Sequence, residues 1–156
     1  MVDNRKLDAQ FVHLRTHSAY SLQEGAVSVA KLIDLAIDDK QPALAITDTA
    51  NLFGALEFSE KAVGKGLQPI IGCTFETVFE VGEASGADRS RNGKQGLRSS
   101  PSLVLLCASE TGYKNLLWLV SLAYTRTGDG ERLELREADF EGRTDGLICM
   151  SGGPAG

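Results

Sequence analysis

The stretch at 11–25, FVHLRTHSAYSLQEG, holds both histidines of the chain, His13 and His17, at the end of an apolar run. The apolar residues predict a strand, and since side chains alternate across a strand, His13 and Arg15 project to the same face. Hydroxyl groups and Glu24 follow in the loop that leaves this strand. The stretch therefore predicts one wall of a polar site at a strand end.

The chain beyond this stretch alternates between helical and strand patterns. Apolar spacing predicts a helix over 29–38 with Ser28 as its N-cap, and the continuous apolar run 43–46 is typical of a strand buried on both faces. The same patterns predict a helix over 51–65, strands over 67–81 and 102–108, helices over 113–124 and 135–140, and a strand over 146–150. This alternation predicts an α/β fold with a parallel sheet, open or closed into a barrel.

Two segments depart from this pattern. Residues 82–101, GEASGADRSRNGKQGLRSSP, contain almost nothing to bury and are predicted to form a mobile hairpin insertion. The last predicted strand is followed only by SGGPAG, without the helix that would cover a parallel strand. We therefore expect residues 1–156 to be the N-terminal part of a longer domain, with the remainder missing.

Charge, hydropathy and cysteine placement argue against several classes of protein. The formal net charge of −5 disfavours an independent nucleic-acid binder, because such modules usually carry a basic surface. No run is long enough to span a bilayer and residues 1–10 do not resemble a signal peptide, which predicts a cytoplasmic protein. Cys73, Cys107 and Cys149 each lie in an apolar run and are interpreted as buried strand thiols rather than metal ligands or disulfide partners.

Five blocks of the sequence carry a family resemblance. They are FVHLRTHSAYS, ALAITDTANLFGALEF, PIIGC, LVLLCASETGYKNLLWLVSLAYT and LICMSGGPAG. In this order they resemble the PHP (polymerase and histidinol phosphatase) domain that opens the alpha subunit of bacterial DNA polymerase III. The resemblance implies part of a distorted seven-stranded (βα) barrel, whose ligands come from the C-terminal ends of its strands.

The resemblance also implies where metal ligands would lie. Active PHP domains bind divalent metals through His, Asp and Glu and hydrolyse phosphoesters with a metal-activated water. The corresponding positions here are Arg15, His17, Glu24, Asp48, Thr49 and Thr74. A guanidinium cannot coordinate a metal, and two further positions carry threonine. We therefore expect a degenerate site without metal or catalytic residues, in which Arg15 forms a partly buried hydrogen bond to Asp48 or Glu24.

Two functional hypotheses follow. The first is a non-catalytic module that stabilises a replicative DNA polymerase and docks its proofreading exonuclease subunit, alongside other replisome subunits and the remainder of the alpha chain. The second is a residual metal-dependent phosphoesterase, acting as a proofreading nuclease or pyrophosphatase. Under either hypothesis, DNA contact and Mg²⁺-dependent nucleotidyl transfer are expected in other domains of the parent polymerase, and no membrane is involved.

Overall fold

The computed structural model describes residues 11–78, 101–127 and 132–151. The helices are α1 (Val29–Asp38), α2 (Ala55–Gly64) and α3 (Glu110–Arg126). The strands are β1 (Ala43–Ile46), β2 (Gln68–Val78), β3 (Ser102–Cys107), β4 (Glu134–Arg136) and β5 (Leu147–Ser151), and a 3-10 turn occupies Glu137–Phe140. The predicted helix over 135–140 is therefore a short strand followed by a single turn. None of the described helices is long and apolar enough to cross a membrane.

The sheet is mixed, so the prediction of a parallel sheet was wrong. Its strand order is β1-β2-β3-β5, with β4 paired to β2. β2 is parallel to β1 and β4, whereas β3 is antiparallel to both β2 and β5. No helical pattern separates β2 from β3 in the sequence, and a parallel pair needs a long crossover that is usually helical. Of the segment 82–101, only Pro101 lies within the described residues, so its predicted mobility falls outside them.

The predicted first strand is an irregular segment that runs beside β1. The carbonyl oxygens of His13 and Thr16 accept hydrogen bonds from Ala45 N at 2.9 Å and Thr47 N at 2.8 Å. Their own N–H groups donate to side chains, His13 N to Gln41 Oε1 at 3.1 Å and Thr16 N to Thr47 Oγ1 at 2.9 Å. Because side-chain oxygens replace backbone acceptors, the segment follows the edge of the sheet without forming a regular ladder.

Local capping sets the helix boundaries. Ser28 caps α1 as predicted, its Oγ accepting from Lys31 N at 3.4 Å. Ser109 caps α3 in the same way, and this helix begins at residue 110 rather than 113. The predicted helix from residue 51 starts instead at Ala55, because Asn51 bonds its own neighbours, accepting from Phe53 N at 3.2 Å. Such local bonds give the backbone an alternative to the helix.

Apolar side chains from the helices cover one face of the sheet in two clusters. The first joins α1 and α2 to β1 around Ile33 and Phe58, both fully buried. The second places α3 on β2 and β3 through Leu116, Leu119 and Ala123. Leu117 is 41% exposed, because the buried stripe of α3 follows 112, 115, 116, 119 and 123.

The three cysteines lie on strands as predicted but differ in burial. Cys73 on β2 is fully buried, Cys107 on β3 is partly buried and Cys149 on β5 is exposed. Burial raises the pKa of the Cys107 thiol to about 11 and that of Cys73 still further. The prediction that all three are buried was therefore wrong for Cys149.

Candidate functional site

The loop at 18–25 is fastened to the end of β1 by the carboxylate of Asp48, which is only 3% exposed. Its Oδ1 accepts from Ser18 N at 2.7 Å and from Ser21 Oγ at 2.6 Å, and its Oδ2 accepts from Ser18 Oγ at 2.7 Å. Hydrogen bonds to an ionised acceptor are stronger than neutral ones. The Asp48 carboxylate therefore holds the loop in place. It is not among the residues that line the cavity next to His13 and His17.

Ser21 links this carboxylate to the next residue of the strand end. Its Oγ accepts from Thr49 N at 3.0 Å while donating to Asp48, and its carbonyl oxygen accepts from Glu24 N at 3.1 Å and Gly25 N at 2.9 Å. A side chain at Gly25 would place its Cβ 2.0 Å from the carbonyl oxygen of Ser18. Only glycine therefore allows the loop to close this tightly.

Four of the candidate residues, His17, Glu24, Thr49 and Thr74, contact one another beside this carboxylate. His17 Nδ1 lies 3.3 Å from Glu24 Oε2, and His17 Nε2 lies 3.4 Å from Thr74 Oγ1. Thr49 Oγ1 also hydrogen-bonds to Glu24 Oε2. The hydroxyl of Thr74 donates to the carbonyl oxygen of Thr47 at 2.9 Å. Residues from the loop, the end of β1 and the middle of β2 are thus brought together, as the sequence positions suggested.

Arg15 lies beside two of the other candidate residues. It is exposed and lines a cavity of about 670 Å³ together with His13, His17 and Glu24. The carboxylate of Asp48 accepts hydrogen bonds from Ser18 and Ser21, and that of Glu24 contacts His17 and Thr49. The pairing of Arg15 with either carboxylate stays a prediction.

The sequence interpretation missed Ser18 and Ser21. Both are almost fully buried, although serine is usually exposed. No spacing rule predicts that these two hydroxyl groups turn toward an aspartate on the next strand. Glu76 lies on β2 two residues beyond Thr74, and its carboxylate pairs with Arg132 at 3.2 Å.

Comparison with known proteins assigns the family. The family model for the PHP domain matches residues 13–156. This chain belongs to the PHP domain family. It is 41% identical over 146 residues to DNA polymerase III subunit alpha of Caulobacter vibrioides, covering 94% of the chain and 12% of that relative. It is 40% identical over 148 residues to the same subunit of Treponema pallidum, with the same coverage of each. The PHP chain thus spans about an eighth of the length of these relatives.

A solved structure supports the fold of this PHP chain. The structure of a protein described as a metal-dependent phosphoesterase, from Bifidobacterium adolescentis, superimposes with a TM-score of 0.53. The two are 16% identical, and the match covers 75% of this chain and 34% of the other. At this identity the likeness establishes a shared α/β fold alone.

Only some of the side chains at the metal-ligand positions implied by the family resemblance are of types that bind metals. Of these residues, His17 and Glu24 are donors of a suitable type, whereas Thr49 and Thr74 offer neutral hydroxyl groups. Protein zinc sites use three or four imidazole, thiolate or carboxylate ligands. In the three described ranges, no group of three or more His, Cys, Asp or Glu side chains is close enough to hold an ion.

Proposed function

We propose that this chain is a non-catalytic PHP module of a bacterial replicative DNA polymerase alpha subunit. Support for the parent comes from relatives that are 41% and 40% identical and carry that name. The observation that carries the non-catalytic role is the replacement of ligand positions by Arg15, Thr49 and Thr74. In-line phosphoryl transfer with metals needs anionic or imidazole ligands to offset the metal charge, and a guanidinium beside the site adds positive charge.

The module's proposed partners are proteins: the remainder of the alpha chain and the proofreading exonuclease subunit. The net charge of −5 disfavours direct contact with DNA, which we assign to other domains of the parent together with Mg²⁺-dependent nucleotidyl transfer. Large apolar side chains are exposed around α2, where Phe53 is 67%, Leu56 71% and Val63 64% accessible. Exposed apolar and aromatic groups of this kind are typical of surfaces that contact proteins. We assign the parent polymerase to the cytoplasm.

A paired assay tests this function. The purified chain is incubated with a phosphodiester substrate and Mn²⁺, Zn²⁺ or Mg²⁺, and its binding to the purified exonuclease subunit is measured separately by biolayer interferometry. We expect no hydrolysis above the rate of a His17→Ala control, together with saturable binding that Leu56→Asp weakens. Metal-dependent hydrolysis that is lost in His17→Ala would instead support the phosphoesterase hypothesis, and a lack of binding would contradict the docking role.

A further inference from the structure

The side chains at four of the family's ligand positions bond to one another rather than facing a vacant centre. Glu24 Oε2 accepts from Thr49 Oγ1 and lies 3.3 Å from His17 Nδ1. The opposite ring nitrogen of His17 lies 3.4 Å from Thr74 Oγ1. Because the Thr74 hydroxyl donates to Thr47 O at 2.9 Å, its oxygen remains an acceptor for the ring, and the two contacts of His17 together need a ring that carries a proton on both nitrogens.

These contacts connect three segments that are distant in sequence. His17 immediately precedes the loop at 18–25 and Glu24 lies near its end, Thr49 follows β1, and Thr74 lies within β2. The backbone joins the last two segments independently, since Thr74 N donates to Asp48 O at 3.1 Å and Ala50 N donates to Thr74 O at 2.8 Å. The loop, in contrast, is linked to β2 at this point through the side chain of His17.

We propose that His17, Glu24, Thr49 and Thr74 form a side-chain clamp that ties the loop to the two strand ends, the structural task that a metal performs where its ligands are present. This inference rests on the proposed non-catalytic function. The clamp and a metal exclude each other, because an ion bound by His17 and Glu24 would have to displace the hydrogen bonds that these side chains make here. The chain's stability therefore depends on the threonine hydroxyl groups and not on added metal.

The buried bonds of Asp48 set the geometry of this clamp. Ser21 accepts from Thr49 N at 3.0 Å, which fixes the backbone that carries the Thr49 hydroxyl. The same serine carbonyl accepts from Glu24 N, so both partners of the Thr49–Glu24 bond are positioned by one residue. Ser21 is therefore a positioning residue for the clamp.

The test compares thermal melts of the 156-residue chain and of Thr49→Val, which keeps the side-chain shape but removes the hydroxyl. We expect Thr49→Val to lower Tm by roughly 1–6 °C, as for the loss of one typical hydrogen bond in a chain of this size, because solvent reaches the Glu24 carboxylate. Thr125→Val is the matched control, since Thr125 Oγ1 bonds the neutral carbonyl oxygen of Leu122 within α3 and links no separate segments. The effect of Thr49→Val should largely disappear in a Glu24→Met background, because methionine has a similar length but lacks the carboxylate acceptor. An equal loss in both backgrounds, or a Tm of Thr49→Val equal to that of the control, would overturn the clamp.

A variant in which metal-binding side chains replace Arg15, Thr49 and Thr74 provides a second test. We expect excess Zn²⁺ to leave the parent's Tm unchanged within about 1 °C and to raise that of an Arg15→His, Thr49→His, Thr74→Glu variant, as binding to the folded state requires. A Zn²⁺-dependent rise in the parent would overturn the clamp. Phosphodiester hydrolysis by the parent would instead overturn the proposed function, and because the melts of Thr49→Val are read without metal, the two failures are distinguishable.

Discussion

Replacing Ser21 with Ala removes two hydrogen bonds that hold the loop at 18–25. The Ser21 hydroxyl donates to the Asp48 carboxylate at 2.6 Å, a charge-assisted bond worth about 1.5–3 kcal/mol. It also accepts from Thr49 N, and leaving a buried N–H without a partner costs about 1–3 kcal/mol. Ser21 is only 3% exposed, so solvent does not weaken these two bonds as it weakens exposed ones. The expected loss of unfolding free energy is about 2.5–6 kcal/mol.

Differential scanning calorimetry measures this loss directly. For a chain of this length, a change of 1 kcal/mol shifts Tm by about 2–4 °C, so Ser21→Ala should melt at least about 4 °C below the parent. Ser121→Ala is the matched control, because Ser121 Oγ bonds only to Leu117 O on an exposed part of α3 and alanine favours a helix. A Tm of Ser21→Ala within about 1 °C of that control would refute the role assigned to the buried carboxylate.

Three further predictions concern the thiols, the core and acid stability. Iodoacetamide should modify exposed Cys149 in the native chain, whereas Cys73, whose pKa is raised by burial, should react only in denaturant, as peptide mass spectrometry will show. Phe58→Ala should cost about 3–5 kcal/mol in urea unfolding, because a fully buried ring leaves a cavity. The Arg126 guanidinium hydrogen-bonds to Asp139 and lowers the pKa of that carboxyl, so its stabilisation is fully present above the unfolded-state pKa of about 3.9 and is lost as pH falls further. Urea unfolding of Asp139→Asn should therefore show a shallower loss of stability below about pH 4 than the parent.

Elements with strong local signals were predicted well from the sequence. The helix at 29–38 has both its apolar spacing and its Ser28 cap in sequence, and the strand at 43–46 is a continuous apolar run. The polar residues after that strand were correctly expected at its C-terminal end. These elements could be predicted because apolar periodicity and capping residues are local features of the sequence.

Features that depend on contacts distant in sequence were not predictable in the same way. The antiparallel pairing of β2 with β3 depends on the path of the chain between them, which apolar patterns do not specify. The partner choice of Asp48 depends on how the loop folds back, and that path includes positive φ values at Gln23 and Ala50, of 74° and 53°. Non-glycine residues seldom adopt this conformation, so the residue types at these positions did not predict it.

The donors that reach Asp48 and Glu24 were hard to predict for a related reason. Charge complementarity indicated Arg15 as a partner of these carboxylates, but it did not predict the hydroxyl groups of Ser18, Ser21 and Thr49 as donors. Those groups reach Asp48 and Glu24 because the loop closes onto the strand end. The degenerate character of the ligand positions stays a prediction that biochemical measurement has to test.

Metal content tests the central claim most directly. The chain is dialysed against Zn²⁺ and Mn²⁺, passed through a desalting column and measured by inductively coupled plasma mass spectrometry, with a His17→Ala, Glu24→Ala variant treated in parallel. A side-chain clamp at the family's ligand positions predicts no stoichiometric metal in either protein. Two or more ions bound per parent chain, and lost from the variant, would contradict the account and identify a working metal site.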